Sequence, residues 1–224
     1  MSNPQANHYV LVSDQVKEIL NNPGFFLQSS SPHDRLKGIS EIEPKQTQRL
    51  LKAMRDVADS NATKEKGDTL EHLVRYLMEK SGLFSQTYHG RNLIYCQVDH
   101  FGVFKPEVWS IFFGAYKDFR DGNRVLLGES KRYGDTLGVT YVLKFECIKY
   151  IQRLPFGVYF TRKGITGTEF KDANAAIKLL YQKANPQFSV VFTDDDWEKL
   201  STDPISFGGI LYDKVQNFLA IQEI

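Results

Sequence analysis

At 224 residues the chain has room for one large domain, or for a domain of ordinary size with an extension. Hydrophobic residues at 42% and charged residues at 25% are ordinary globular values, so a sizeable core can form. A net charge of +1 provides no global field toward nucleic acid, and any basic surface has to be local. The residues available for one are Lys131-Arg132, Lys144, Lys149 and Arg162-Lys163. Apolar runs fall far short of the ~20 residues that a membrane span needs, and Met1 to His8 lacks the form of a signal peptide. Cys96 and Cys147 have no Cys-x-x-Cys spacing and read as buried, reduced thiols of a cytoplasmic protein.

In chain order, Asp14 to Leu20 predicts a short amphipathic helix, stopped by Asn21-Asn22-Pro23-Gly24, and Ser29-Ser30-Ser31-Pro32 predicts a loop. Pro44 to Ala58 carries Leu50, Leu51, Met54 and Val57 at helical spacing. The polar stretch Asp59 to Lys66 reads as a linker, so residues 1–66 form a helical N-terminal extension and 67–224 a second unit. Asp68 to Met78 predicts an amphipathic helix with Leu70, Leu73, Val74 and Leu77 as its stripe. Asp68 and Glu71 also have the spacing of a capping box.

From Gln86 the pattern turns to strands. Gln86 to Val98 reads as a hairpin about Gly90-Arg91-Asn92, closed by Asp99 and a turn-like His100-Phe101-Gly102. The run 108–119 fits either period, and Asp121-Gly122 after it favours two paired strands, 108–119 and 124–132. A helix follows over Thr136 to Gln152 with Leu137, Tyr141, Phe145 and Ile148 as its apolar positions, then a strand at Val158 to Thr161. The loop Arg162 to Thr168 opens a helix through Ala173, Ile177 and Leu180. Phe188 to Phe192 is a further strand, and Asp194-Asp195-Asp196 caps a short helical segment from Trp197 to Leu200. This alternation predicts an α/β fold, a mixed sheet with helices on its faces.

One stretch carries chemistry. Glu129 and Lys131 end the apolar run Val125-Leu126-Leu127, and the period of a strand puts both on one face with Cα atoms roughly 7 Å apart. An acceptor and a cation at that spacing can share one phosphate group and one metal ion. Glu43-Pro44-Lys45 and Glu169-Phe170-Lys171 have the same spelling, but the first contains a proline and the second opens a helical pattern. No phosphate-binding Gly-rich loop, nucleophile elbow or zinc spacing is present.

The element order, with Glu71 on the first helix, Asp99 at the second strand and Glu129-Ser130-Lys131 on the third, resembles the PD-(D/E)xK nuclease superfamily, and most of all its Mrr-type restriction endonucleases. The resemblance covers residues 67–200. It implies a restriction-endonuclease-like mixed sheet flanked by helices, with Glu71, Asp99, Glu129 and Lys131 as catalytic residues. It further implies Mg²⁺, or Mn²⁺ in its place, held by Asp99, Glu129 and the backbone carbonyl of Ser130, whose side chain points away. Lys131 would neutralise phosphate charge, and Glu71 would orient water or help a second ion.

Valine stands where the motif's proline is usual, and the span from Asp99 to Glu129 is long, with something extra within 101–118. Asp118 and Asp121 are therefore alternatives to Asp99. The expected activity is Mg²⁺-dependent cleavage of DNA in prokaryotic restriction or anti-phage defence. The alternatives are a nucleic-acid-binding or assembly module on the same fold, and a nuclease acting on RNA. Arg132, Thr140, Lys144, Arg162 and Lys163 are the expected nucleic-acid contacts, and the N-terminal helices are expected to dock a second copy or a protein partner.

Overall fold

The computed structural model describes residues 31–57, 63–93, 96–116, 119, 123–131, 136–167, 173, 176–177 and 187–222. The expected helix at Asp14 to Leu20 lies outside them. The chain begins with α1 (Pro32–Gly38), α2 (Pro44–Asp56) and α3 (Thr63–Lys80). Ser31 is no plain loop residue: its hydroxyl accepts from Asp34 N at 3.2 Å and caps α1, with proline in the first turn. Proline also starts α2, where its missing N–H costs nothing.

α3 begins at Thr63, so part of the expected linker is helix. Asp68 is therefore interior to α3, and the capping-box alternative for Glu71 falls away. Leu70, Leu73, Val74 and Leu77 are fully buried, as the helical period requires. They share one core with Leu36, Leu51 and Met54, so the stripe expected to await another chain is occupied within this one. Tyr76 Oη accepts from Glu43 N at 2.8 Å and ties α2 to α3.

The sheet follows as β1 (Phe84–Leu93), β2 (Cys96–Phe104), α4 (Pro106–Phe113), β3 (Val125–Ser130), α5 (Val139–Gln152), β4 (Phe156–Phe160) and β5 (Phe188–Phe192). The five strands lie in the order β1-β2-β3-β4-β5. β1, β2 and β3 pair antiparallel, and β3, β4 and β5 pair parallel. The β1–β2 pairing extends to Leu93↔Cys96, so Gly90-Arg91-Asn92 sits inside β1 rather than in the expected turn. His100-Phe101-Gly102 is likewise part of β2 and supplies the ladder to β3.

The expected strand over 108–119 is replaced by α4. Its Val108, Trp109, Phe112 and Phe113 are buried together, and Pro106 opens the helix. An aromatic-rich run satisfies either period, and here the burial surface decides: Phe113 packs against Trp109, Phe119, Phe156 and Phe188. α4 is the extra element between Asp99 and Glu129. The buried indole of Trp109 donates to Phe119 O at 2.9 Å, which satisfies its N–H.

After β5 come α6 (Asp194–Thr202) and α7 (Phe207–Gln222). The three acids do lie in the first turn of α6, with Thr193 and Asp196 forming its capping box. α7 has a buried stripe of Leu211, Val215 and Leu219. A Cβ on Gly208 would stand 3.2 Å from Leu83 and 3.3 Å from Leu36, so the missing side chain lets α7 approach α1.

One sheet face carries the main core with α1, α2, α3, α4, α6 and α7. The other is covered by α5 and by Ala173 and Ile177. Among the described residues, no helix is long and apolar enough to cross a membrane. Cys147 is exposed on α5, contrary to the expected buried thiol, because the inner face of that helix is taken by Val142, Phe145, Glu146 and Lys149.

Those last two residues form a dry ion pair. Lys149 Nζ lies 2.8 Å from Glu146 Oε2, and it donates to Phe188 O at 2.8 Å and Ser189 Oγ at 2.6 Å. Ser189 Oγ and Tyr159 Oη donate to Glu146 Oε1 at 2.6 and 2.9 Å. Burial pulls the proton affinity of Lys149 down, while Glu146 opposes the fall. Burial also raises that of the Tyr159 phenol, and Glu146 adds to the rise.

Candidate active site

The β2–β3 ladder runs from Val103↔Val125 to His100↔Gly128 and stops there. β3 continues for two residues paired only with β4. The strands thus fork at the boundary between the antiparallel and parallel halves of the sheet, at the carboxyl end of β3. The parting strands leave a cleft there. Asp99 on β2 and Glu129 at the end of β3 flank this fork, with Lys131 just beyond. Asp99 is mid-strand rather than at a strand's end, and the fork, not the strand terminus, exposes it.

Lys131 Nζ lies 2.8 Å from Glu129 Oε1 and 3.1 Å from Asp99 Oδ2. Ser130 N donates to Asp99 Oδ2 at 2.9 Å. Strand alternation sends the Ser130 side chain to the opposite face, where it meets His100. The three charged side chains are 17–26% exposed, half-buried in a cleft of 360 Å³. α5 supplies its other wall with Tyr141, Lys144, Phe145 and Ile148. Tyr141, expected in the helix core, is 50% exposed at this rim.

The charges are mutually dependent. Burial raises the proton affinity of Glu129 and Asp99 adds to it, while Lys131 and Lys144 pull it down. Glu71, on α3, is also raised, first by burial and then by Asp99, with Lys131 opposing. Burial works against the Lys131 ammonium, yet Glu129 and Asp99 outweigh it and hold the group well above the ordinary lysine value. Glu71 therefore lies within the field of the other three, although among the described residues it is bonded to none of them.

No protein-family model matches this chain, and no curated protein does.

The expected nucleic-acid contacts divide. Lys144 lines the cleft and Thr140 is exposed on the same helix. Arg162 is held by Asp194 through two bonds of 2.8 and 2.9 Å, so its fork is already occupied. Lys163 lines a separate cavity of 520 Å³ with Lys214. Arg132, and the alternative ligands Asp118 and Asp121, lie outside the described residues.

Among the described residues, no group of three or more His, Cys, Asp or Glu side chains is placed to hold a metal. Two carboxylates do converge on one cationic atom. Mg²⁺ commonly takes one or two carboxylates and keeps several waters, so the donor chemistry of Asp99 and Glu129 fits such an ion.

Two histidines take places that the sequence does not assign: His100 is notable there only as a neighbour of Asp99 that could approach the substrate, and His89 not at all. His100 is 1% exposed beneath the cleft, bonded to Ser130 Oγ at 2.7 Å. His89 lies behind it, Nδ1 to Nδ1 at 2.9 Å. Strand alternation was the available signal for His100, since it places residue 100 opposite the face of residue 99. His89 gave none, because its contact needs the β1–β2 register.

Proposed function

We propose that this chain is a metal-dependent endonuclease that hydrolyses phosphodiester bonds of DNA, on a restriction-endonuclease-like sheet and in a restriction or anti-phage role. The observation that carries this reading is the meeting of Asp99, Glu129 and Lys131 at a sheet fork, in a cleft whose opposite wall bears Lys144. A structural ion pair needs one partner of each sign and no cleft. Here two carboxylates face one lysine beside open volume.

Asp99, Glu129 and the Ser130 carbonyl would hold a Mg²⁺ or Mn²⁺ ion. When bound, the ion supplies Lewis acidity toward the phosphate and lowers the pKa of a coordinated water. The chain's own groups do the rest. Lys131 offsets the negative charge that builds on the phosphate oxygens as water adds to phosphorus and the ester P–O bond breaks. Glu71, whose proton affinity is raised, is suited to take the proton that the water gives up. Lys144, which lines the cleft, and Thr140 on the same helix would contact the backbone beside the scissile phosphate.

Incubation with plasmid, single-stranded DNA and RNA, in Mg²⁺, Mn²⁺ or EDTA, tests the reading. Plasmid cut in Mg²⁺ and spared in EDTA and by Glu129→Ala is the expected result. Binding of DNA without cleavage in either metal would replace it with the binding-module reading. Cleavage of RNA alone would move the substrate.

A further inference from the structure

Beyond the end of the β2–β3 ladder, Ser130 makes two bonds to β2, beside the contact of Lys131 with Asp99. On the cleft face its backbone N–H donates to Asp99 Oδ2 at 2.9 Å. On the opposite face its Oγ lies 2.7 Å from His100 Nε2. Consecutive residues of β2 thus grip one residue of β3 from both sides, where backbone pairing no longer does so. His100 and Ser130 are both buried, at 1% and 4% exposure. The His100 ring reaches Ser130 only because residue 128 is glycine. A Cβ there would stand 2.9 Å from His100 Cβ and 3.1 Å from the Phe160 ring.

The direction of the bonds follows from the next residues out. Burial keeps both rings neutral, with His100 at 1% exposure and the His89 side chain at 11%. Their Nδ1 atoms, 2.9 Å apart, share one proton. His89 Nε2 faces Glu79 Oε1 at 3.5 Å, an electrostatic approach rather than a full hydrogen bond. That oxygen already accepts from Arg75 Nε at 3.0 Å and so has no proton to give. A bare Nε2 lone pair would be repelled by that carboxylate, which favours the proton of His89 on Nε2; His100 then carries its own on Nδ1, and the Ser130 hydroxyl donates to His100 Nε2. The chain of contacts runs from α3 through β1 and β2 to β3.

We propose that His100 is a positioning residue for the hydrolysis proposed above: by accepting from the Ser130 hydroxyl it fixes the end of β3, so that Glu129 and Lys131, on either side of Ser130, project into the cleft opposite Asp99. The catalytic consequence rests on the nuclease reading, but the bond itself does not. His100 touches no reacting atom and works through Ser130 alone.

Three variants and one spectrum test this. Ser130→Ala keeps the backbone N–H and removes only the donor to His100. His100→Leu removes the acceptor, and His100→Gln offers one in its place. Misplacement on the scale of an ångström costs up to about 100-fold in rate, so Ser130→Ala and His100→Leu should lower kcat by about 10- to 100-fold. KM for DNA should stay within about twofold, since the contacts that hold substrate are elsewhere, and His100→Gln should recover part of the loss.

Long-range ¹⁵N imidazole spectra of the wild type should show His100 as the Nδ1–H tautomer, with Nε2 shifted in Ser130→Ala. A folded Ser130→Ala protein with wild-type kcat, beside an active wild type, overturns the positioning role alone. An Nε2–H tautomer at His100 overturns the bond direction whether or not the protein cuts anything. A wild type inert on every nucleic acid overturns the nuclease reading, and the catalytic role of His100 falls with it.

Discussion

Asp99 Oδ2 stands 3.1 Å from Lys131 Nζ even though the strands carrying them have ceased to pair. The contact is possible because β3 runs on along β4 while β2 runs on along β1. The gap between them is the cleft, and the ion pair spans it. Lys131 holds two carboxylates that would otherwise repel each other at close range. It is the countercharge bonded to both, with Lys144 adding to it at Glu129.

Replacing Lys131 with methionine removes that countercharge at nearly constant volume. Cleavage should fall by about 100-fold or more, the loss expected when an electrostatic stabiliser of the transition state is deleted. Glu129 should also take up a proton more readily, since the cation that holds its proton affinity down is gone. A cleavage assay and carboxyl ¹³C titration read the two effects. Wild-type cleavage by the variant would remove Lys131 from the mechanism.

Metal binding should follow the two carboxylates. Calorimetric titration with Mg²⁺ is expected to lose its heat in Asp99→Ala and in Glu129→Ala, and to keep it in Asp121→Ala. Loss confined to Asp121→Ala would shift the site along the chain.

Glu71 gives a pH signature. Its folded proton affinity is raised above the ordinary carboxylate value of 4.5, so its ionised form opposes folding. Stability attached to this group is complete below the ordinary value and is lost as pH rises through the higher folded value. Glu71→Gln lacks that dependence. The variant should be the more stable protein at pH 8, and its advantage should shrink on acidification and vanish below about pH 4. Denaturant unfolding across that range would show it, and a variant less stable than wild type at pH 8 would contradict it.

Gly128→Ala should be costly for a residue with so small a change in volume. Its methyl would press on His100 and on Phe160, and overpacking of this kind costs about 1–3 kcal/mol. The displaced strand end carries Glu129, so activity should fall along with stability. A variant with an unchanged unfolding midpoint would mean that the His100 ring can move aside.

The buried pair beneath α5 should be strongly non-additive. Lys149→Met alone leaves the Glu146 carboxylate without its cation in a dry site, a loss of about 3–5 kcal/mol. Adding Glu146→Gln neutralises the site and leaves Oε1 able to accept from Tyr159 and Ser189, so the double variant should recover most of the stability. Equal destabilisation by the single and double variants would show that the pair contributes through something other than its charge.

Periodicity made the local elements legible from the sequence alone. The stripe of α3, the apolar runs of β3, β4 and β5, and the helix at Pro44 were all readable, because a helix or a strand repeats within a few residues. That Glu129 and Lys131 share a face is of the same kind, since it needs only the pleat of one strand. What the sequence could not carry was which residues meet across strands. Asp99 reaches Lys131, and His100 reaches Ser130, because β2 pairs with β3 in the register His100↔Gly128, and register depends on residues far apart in the chain. The run 108–119 satisfied both periods, and the aromatic surface that 106–113 fills made that part helical. Lys149, counted among the residues available for a basic surface, is buried with Glu146 because Tyr159 and Ser189 lie opposite to receive them. Local geometry repeats along the sequence, whereas burial and register are decided only when distant segments pack together.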